Sequence, residues 1–132
     1  MPTVKLVDDK SASPRVRAVF DDIKATKKID FVPNFWRALA AHPDNLERAW
    51  GLGKSIMRDG KVSLLIKEIV ALAVSVTNSC RYCINSHTAA ALKLGLDQEG
   101  LGEVLAVIGL YNQFNKMADA FQVEPDILPK VE

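Results

Sequence analysis

Two cysteines, Cys80 and Cys83, lie three residues apart in the segment NSCRYCINSH and are the only cysteines of the chain. Residues at this spacing are neighbours on a helix, with Cα atoms roughly 5 Å apart, which is within the range that a disulfide tolerates. The pair can therefore alternate between dithiol and disulfide with little backbone movement. We predict that this pair performs redox chemistry.

The residues around the pair predict that it opens a helix. Ser79 is the expected N-cap of a helix over residues 80–94, which ends before Gly95. Both cysteines would then lie in the first turn, where unpaired amide groups and the positive end of the helix dipole stabilise a thiolate. The thiolate is the form of cysteine that attacks a peroxide or a disulfide.

A base and a carboxylate are expected beside the cysteines. His87 follows Cys83 by four residues, on the same helix face, and could accept the thiol proton directly or through a water. Glu68 lies ten residues before Asn78, and His87 lies eight after Ser79, so an antiparallel hairpin would place them nearly level. A carboxylate in an apolar helix is costly unless it is paired. We therefore predict that Glu68 pairs with and orients His87.

Two other interpretations of the cysteines stay open from the residues alone. The pair could be structural, or it could supply a zinc site in which His87 is a third ligand and His42 or Glu68 a fourth. Structural zinc sites usually add a second C-x-x-C or an H-x₃₋₅-H, and neither occurs here. We predict no metal and no cofactor, and we expect His42, beside Pro43, to be a loop or cap residue.

The composition is that of an ordinary globular protein. The 132 residues predict a single domain over residues 1–132, and two cysteines are too few for a disulfide scaffold. Seventeen basic and sixteen acidic residues give a net charge of +1, which argues against a nucleic-acid partner. The longest apolar tract, residues 62–76, is interrupted by polar residues. We therefore expect no membrane partner, no targeting signal and a cytoplasmic location.

Apolar spacing and cap residues predict an all-α fold, a compact bundle of six to seven short helices. The central helix, which starts at Ser63, is apolar nearly all round and is expected at the centre of the core. Gly109 is expected to separate the last two helices. The predicted helices cover residues 14–27, 35–41 with Asn34 as the expected cap, 43–60, 63–78, 80–94, 97–108 and 111–121, between an irregular arm (1–12) and a C-terminal tail (122–132).

The pattern E-x₁₁-C-x-x-C-x₃-H resembles the core motif of the alkylhydroperoxidase AhpD-like proteins, in the carboxymuconolactone decarboxylase superfamily. The resemblance covers residues 31–110 and includes Leu72 and Ser75 before the cysteines and Gly95-Leu96 after them. It implies an all-α fold that assembles into homo-trimers or homo-hexamers. True carboxymuconolactone decarboxylases lack the redox pair, so decarboxylation is not expected.

The same resemblance implies a role for each motif residue. Cys83 would attack the hydroperoxide and Cys80 would resolve the sulfenic acid, while His87 and Glu68 would relay protons. The substrate would be a hydroperoxide, and an external dithiol, such as a lipoylated or thioredoxin-like protein, would reduce the disulfide. AhpD has a histidine immediately before its second motif cysteine, whereas this chain has Tyr82.

Three functions follow from these residues. The leading prediction is a thiol-dependent peroxidase. The second is a dithiol–disulfide oxidoreductase or redox sensor without substantial peroxidase turnover, because the same thiolate chemistry serves both. The third is a non-catalytic oligomeric binding protein that holds zinc on its cysteines.

Overall fold

A computed structural model describes residues 1–131 and shows six α-helices with no strand in that range. The predicted all-helical fold is confirmed. Among these described residues, none of the helices combines the length and apolar character needed to cross a bilayer. The helices are α1 (Pro14–Lys27), α2 (Asn34–Leu39), α3 (Pro43–Ile56), α4 (Leu64–Thr77), α5 (Arg81–Lys93) and α6 (Gln98–Ala120).

Side-chain acceptors start several of these helices by accepting an otherwise unpaired amide of the first turn. The Ser13 hydroxyl caps α1, which has proline at its first position, and Ser63 caps α4. Asp97 caps α6 through the amide of Gly100, at 2.7 Å. His42 is also a cap, because its Nδ1 accepts the amide of Asn45 at 3.2 Å. At the other end of α5, Gly95 has a positive φ of 109°, as expected for a residue just after a helix.

Three predicted helix boundaries are wrong. Gly109 does not break the last helix, because α6 runs without interruption for 23 residues. A mid-helix glycine costs about 1 kcal/mol in helix propensity but leaves the backbone hydrogen bonds intact. The neighbouring apolar residues therefore determine whether the helix continues. In addition, α3 ends at Ile56 rather than near Gly60, and α2 includes Asn34, with Pro33 in the cap position.

The chain divides into two compact units, the first of which ends at Arg58 and contains α1, α2 and α3. Its arm has no helix, as predicted, but Val7 is fixed to α2. The Val7 carbonyl accepts from Arg37 Nε at 2.9 Å, and the Val7 amide donates to the Arg37 carbonyl at 3.2 Å. The single domain predicted over the whole chain stays a prediction. The core of this unit is apolar and consists of Ala12, Val16, Phe20, Ile23, Val32, Ala40, Leu46 and Trp50.

Asp22 joins α1 to α3 in this first unit. Its carboxylate accepts hydrogen bonds from Lys54 Nζ at 2.9 Å and from Trp50 Nε1 at 2.7 Å. These two hydrogen bonds hold the pKa of Asp22 below its ordinary value of 3.8, and the one from Lys54 has the larger effect. The side chain of Asp22 is 42% exposed, so solvent screens much of the interaction.

We expect Asp22→Asn to lower the free energy of unfolding by about 0.5–1 kcal/mol at pH 7 and by less at pH 3. A carboxyl whose pKa is lowered on folding adds stability above its unfolded pKa. That stability disappears as the pH falls through the lower folded value. Urea unfolding followed by tryptophan fluorescence at both pH values measures the difference. An equal loss at pH 7 and pH 3 would contradict this account.

The second unit starts at Asp59 and contains α4, α5 and α6. Helices α4 and α5 are consecutive and form the predicted antiparallel hairpin, in which Leu72 and Ala91 are fully buried. Asn112 of α6 donates from Nδ2 to the Thr77 hydroxyl of α4 at 3.1 Å. The tail after α6 is not helical as far as residue 131, as predicted.

The expected central position of α4 is wrong for the single chain. Only one face of α4 is buried, and it carries Glu68, Leu72 and Ser75. A second stripe on α4, made of Ile66, Val70 and Val74, is 51–56% exposed. The second unit has only α5 and α6 to pack against α4, so an all-round apolar helix keeps one side uncovered.

Candidate active site

The turn between α4 and α5 is a Schellman motif, the paired hydrogen-bond pattern that commonly ends a helix. The Cys80 amide donates to the Ser75 carbonyl at 2.9 Å, and the Ser79 amide donates to the Val76 carbonyl at 3.0 Å. Between them, Ser79 takes the left-handed conformation, with a φ of 57°. Cys80 is therefore held in place by the last turn of α4.

Cys80 is at the same time the N-cap of α5. Its Sγ accepts the backbone amide of Cys83 at 3.3 Å, and α5 itself begins at Arg81. The prediction that Ser79 is the cap is wrong by one residue. Ser79 supplies the left-handed turn that ends α4, so it cannot also adopt the extended backbone of an N-cap. Because sulfur is a weak hydrogen-bond acceptor, N-cap preferences predict Ser79 rather than Cys80 as the cap of α5.

Ser79 pays a conformational penalty that glycine would avoid, so we expect Ser79→Gly to raise the free energy of unfolding by about 0.5–1 kcal/mol. Ser79→Val should lower it by about 1–2 kcal/mol, because a β-branched side chain fits this conformation poorly. Urea unfolding measures both. Ser86→Gly, at an exposed position inside α5, is the matched control and should be destabilising. A Ser79→Gly protein less stable than the parent would contradict the assignment.

The two cysteines form a disulfide in this structure. Their sulfurs are 2.07 Å apart and their Cα atoms 5.3 Å apart. Both residues are half-buried, so the bond is partly accessible at the start of α5. The two cysteines are therefore as close as their three-residue spacing predicts, and this closeness depends only on the local backbone.

Glu68 and His87 meet across the hairpin. His87 Nδ1 lies 2.6 Å from Glu68 Oε2, so the predicted level arrangement of the two residues is observed. The Glu68 side chain is 9% exposed and that of His87 is 29% exposed. Because a carboxylate only accepts hydrogen bonds, Nδ1 is the nitrogen that donates a proton in this contact. In the neutral imidazole Nε2 is then unprotonated and is the nitrogen that can act as a base. Cys83 lies one turn before His87 on α5.

The other polar residues nearby have local partners or face solvent. The buried Ser75 hydroxyl donates to the Ala71 carbonyl at 2.6 Å, which is ordinary back-bonding within a helix. Ser79, Ser86, Arg81 and Tyr82 are exposed. Across residues 1–131, the structure brings no three His, Cys, Asp or Glu side chains together as a metal site, and His42 is engaged in capping α3.

The hairpin thus groups a redox-capable cysteine pair, an imidazole and a nearly buried carboxylate in one unit. The sequence motif that connects them runs from Glu68 to His87. The sequence model of the carboxymuconolactone decarboxylase family matches residues 43–123, which is more than half of the chain and includes all four motif residues. The chain belongs to this family. The matched range overlaps the predicted core of residues 31–110 and extends further toward the C-terminus.

A crystal structure of another protein shows the same fold. The alkylhydroperoxidase AhpD core of Rhodospirillum rubrum superposes with a TM-score of 0.91 and 48% sequence identity, over 96% of this chain and 95% of that one. The predicted AhpD-like fold is therefore confirmed.

Two curated relatives are more distant. An uncharacterized protein of Cupriavidus necator is 34% identical over 67 residues, which is 51% of this chain and 59% of the relative. An (R)-2-haloacid dehalogenase of Pseudomonas putida is 26% identical over 110 residues, which is 83% of this chain and 36% of the relative. The chain therefore spans less than two thirds of either relative's length.

Proposed function

We propose that this protein is a thiol-dependent peroxidase that reduces alkyl hydroperoxides. The observation that carries the proposal is the hairpin itself, in which Cys83 of the bonded Cys80–Cys83 pair lies one turn of α5 before an imidazole that contacts Glu68. The high similarity to a structure named as an alkylhydroperoxidase core supports the same chemistry. The family also takes its name from a decarboxylase, but a decarboxylation makes no use of a reversible disulfide.

In the proposed cycle the reduced protein reacts first at Cys83. His87 takes the thiol proton at Nε2, directly or through a water, and the Cys83 thiolate attacks the terminal oxygen of the hydroperoxide. An S–O bond forms, the O–O bond breaks, and the alkoxide takes the proton from the imidazolium to leave as the alcohol. Glu68 stabilises the imidazolium and fixes its orientation.

The second half of the cycle closes the disulfide. The Cys80 thiolate attacks the sulfur of the Cys83 sulfenic acid, and the hydroxyl leaves as water after protonation. The two Cα atoms already lie at disulfide distance, so this step needs no rearrangement of the hairpin. An external dithiol, for instance a lipoylated or thioredoxin-like protein, then returns the pair to the reduced state. A reducing compartment such as the cytosol would sustain that supply of dithiols.

The decisive experiment is a peroxidase assay of the purified protein with cumene hydroperoxide, tert-butyl hydroperoxide and hydrogen peroxide, each with several dithiol donors. We expect repeated turnover with at least one organic hydroperoxide and one dithiol. Stoichiometric reaction that stops after one equivalent with every donor would overturn the proposal. Metal analysis of protein purified without chelator tests the zinc alternative, and a stoichiometric metal on the cysteines would also count against a peroxidase.

One observation favours the second candidate, a dithiol–disulfide oxidoreductase or redox sensor. Tyr82 stands between the cysteines where the AhpD motif carries a histidine, so one group of the expected relay is different. Insulin reduction, measured beside the peroxidase assay, separates the two. Rapid insulin reduction with slow hydroperoxide consumption would assign the protein to disulfide exchange.

We also propose that the chain assembles with copies of itself, as a trimer or a hexamer. The support is apolar surface that the single chain leaves uncovered on α4 and α6. Sedimentation velocity should give three or six times the chain mass of 14.5 kDa, and a monomer would contradict this. The exposed residues are Ile66, Val70 and Val74 on α4, and Leu105, Val107, Leu110, Tyr111, Phe114 and Met117 on α6.

A further inference from the structure

The two sulfurs of the disulfide have different surroundings. The sulfur of Cys80 is at the N-cap of α5, a helix of 13 residues, and accepts the amide of Cys83 at 3.3 Å. Cys83 is the third residue of the helix and is the donor in that hydrogen bond. No acidic side chain lies in the first turn of α5, and Arg81 follows Cys80 directly.

These surroundings favour negative charge on one sulfur over the other. An amide donor at the positive end of a helix stabilises a thiolate at the N-cap, and Arg81 adds a positive charge next in sequence. When a disulfide is attacked, the sulfur that is more stable as a thiolate departs more readily. The attacking thiol then bonds to the other sulfur.

We propose that the external dithiol attacks the sulfur of Cys83 and that Cys80 is the leaving group. That the reductant is an external dithiol rests on the proposed function. One donor thiolate forms a bond to Cys83 Sγ, the Cys80–Cys83 bond breaks, and its electron pair leaves on Cys80 as a thiolate. The second donor thiolate then attacks the donor sulfur of this mixed disulfide. The donor closes its own disulfide, and Cys83 departs as a thiolate and takes a proton.

In this exchange two electrons pass from the dithiol, which is oxidised, to the protein disulfide, which is reduced. One consequence is that the sulfur of Cys83 is the electrophile in both halves of the cycle: Cys80 attacks it when it is a sulfenic acid, and the donor attacks it when it is in the disulfide. His87, one turn further along α5, is placed to serve the proton transfers of Cys83 rather than those of Cys80.

The sequence provides a direct way to test this proposal. Trypsin cuts after Arg81, so Cys80 and Cys83 fall in separate peptides, residues 68–81 and 82–93. The oxidised wild-type protein is mixed briefly with 2-mercaptoethanol, and a larger excess of N-ethylmaleimide near neutral pH then stops the exchange and alkylates the freed thiol. The protein is digested without reductant and analysed by mass spectrometry. We expect the 2-mercaptoethanol adduct on Cys83 and the alkyl group on Cys80 in about tenfold excess over the reverse pattern.

An equal partition, or a majority of adduct on Cys80, would overturn the proposal. The same reaction in 8 M urea is the control, because unfolding removes the helix terminus and should remove the preference. A preference that survives in urea would show that the neighbouring residues, and not the cap, produce it. No peroxide is used, so a negative peroxidase assay would leave this result unaffected. An adduct that does not favour Cys83 would in turn leave the peroxidase proposal standing.

Discussion

Replacing Cys83 with serine is expected to lower hydroperoxide turnover by at least about a thousandfold, since the variant lacks the sulfur that attacks the peroxide. Cys80→Ser is the matched variant, because it loses the same disulfide. It should also turn over much more slowly, but for another reason: Cys83 can still be oxidised once, and then only the external dithiol, and no cysteine of the chain, can resolve the sulfenic acid.

The difference between these variants appears in a single-turnover experiment. Cys80→Ser should consume one equivalent of hydroperoxide and yield a sulfenic acid, trapped with dimedone on the tryptic peptide of residues 82–93. Cys83→Ser should consume none on that time scale. The assignment of Cys83 as the attacking residue is wrong if Cys83→Ser reduces organic hydroperoxide as fast as the parent protein. Comparable far-ultraviolet circular dichroism of the variants would show that both fold.

The second large effect concerns the imidazole. We expect His87→Ala to slow the reaction of reduced protein with hydroperoxide by about a hundredfold or more, which is the usual contribution of a positioned base. Glu68→Gln should slow it by about tenfold, because the amide still accepts a hydrogen bond but stabilises the imidazolium less than a carboxylate does. Stopped-flow measurement of sulfenic acid formation gives both rate constants.

Two controls separate this chemistry from a loss of structure. Added imidazole should restore part of the rate of His87→Ala, since the side chain is 29% exposed and its removal leaves room beside Glu68. A purely structural role for His87 would not be rescued in this way. His42→Asn removes the other histidine and replaces it with a residue that also caps helices well, so its rate should equal that of the parent.

Much of the site is predictable from the sequence because its parts are close along the chain. The spacing from Glu68 to His87 defines a hairpin whose two arms are almost equal, and the observed 2.6 Å contact follows from that symmetry. The disulfide pair needs only one helical turn. Neither contact depends on distant parts of the chain, where predictions from sequence are weakest.

The remaining differences between the predicted and the observed structure arise where two preferences of similar strength compete at one position. At the junction, Ser79 suits an N-cap, but the hydrogen bonds that end α4 require a left-handed residue at this position, and Ser79 adopts that conformation. At Gly109, the glycine penalty is too small to interrupt a helix of 23 residues. The exposed stripe of α4 could not be foreseen, because hydrophobicity shows that a face prefers burial but not which surface will cover it.

The shared use of Cys80 by two helices has a consequence for how this hairpin can vary. The residue completes the hydrogen bonds that end α4 and begins those that start α5, so there is no linker in which an extra residue could be absorbed. Inserting or deleting one residue here would rotate α5 by about 100° relative to α4 and turn His87 away from Glu68. The length of this junction is therefore more tightly constrained than its composition.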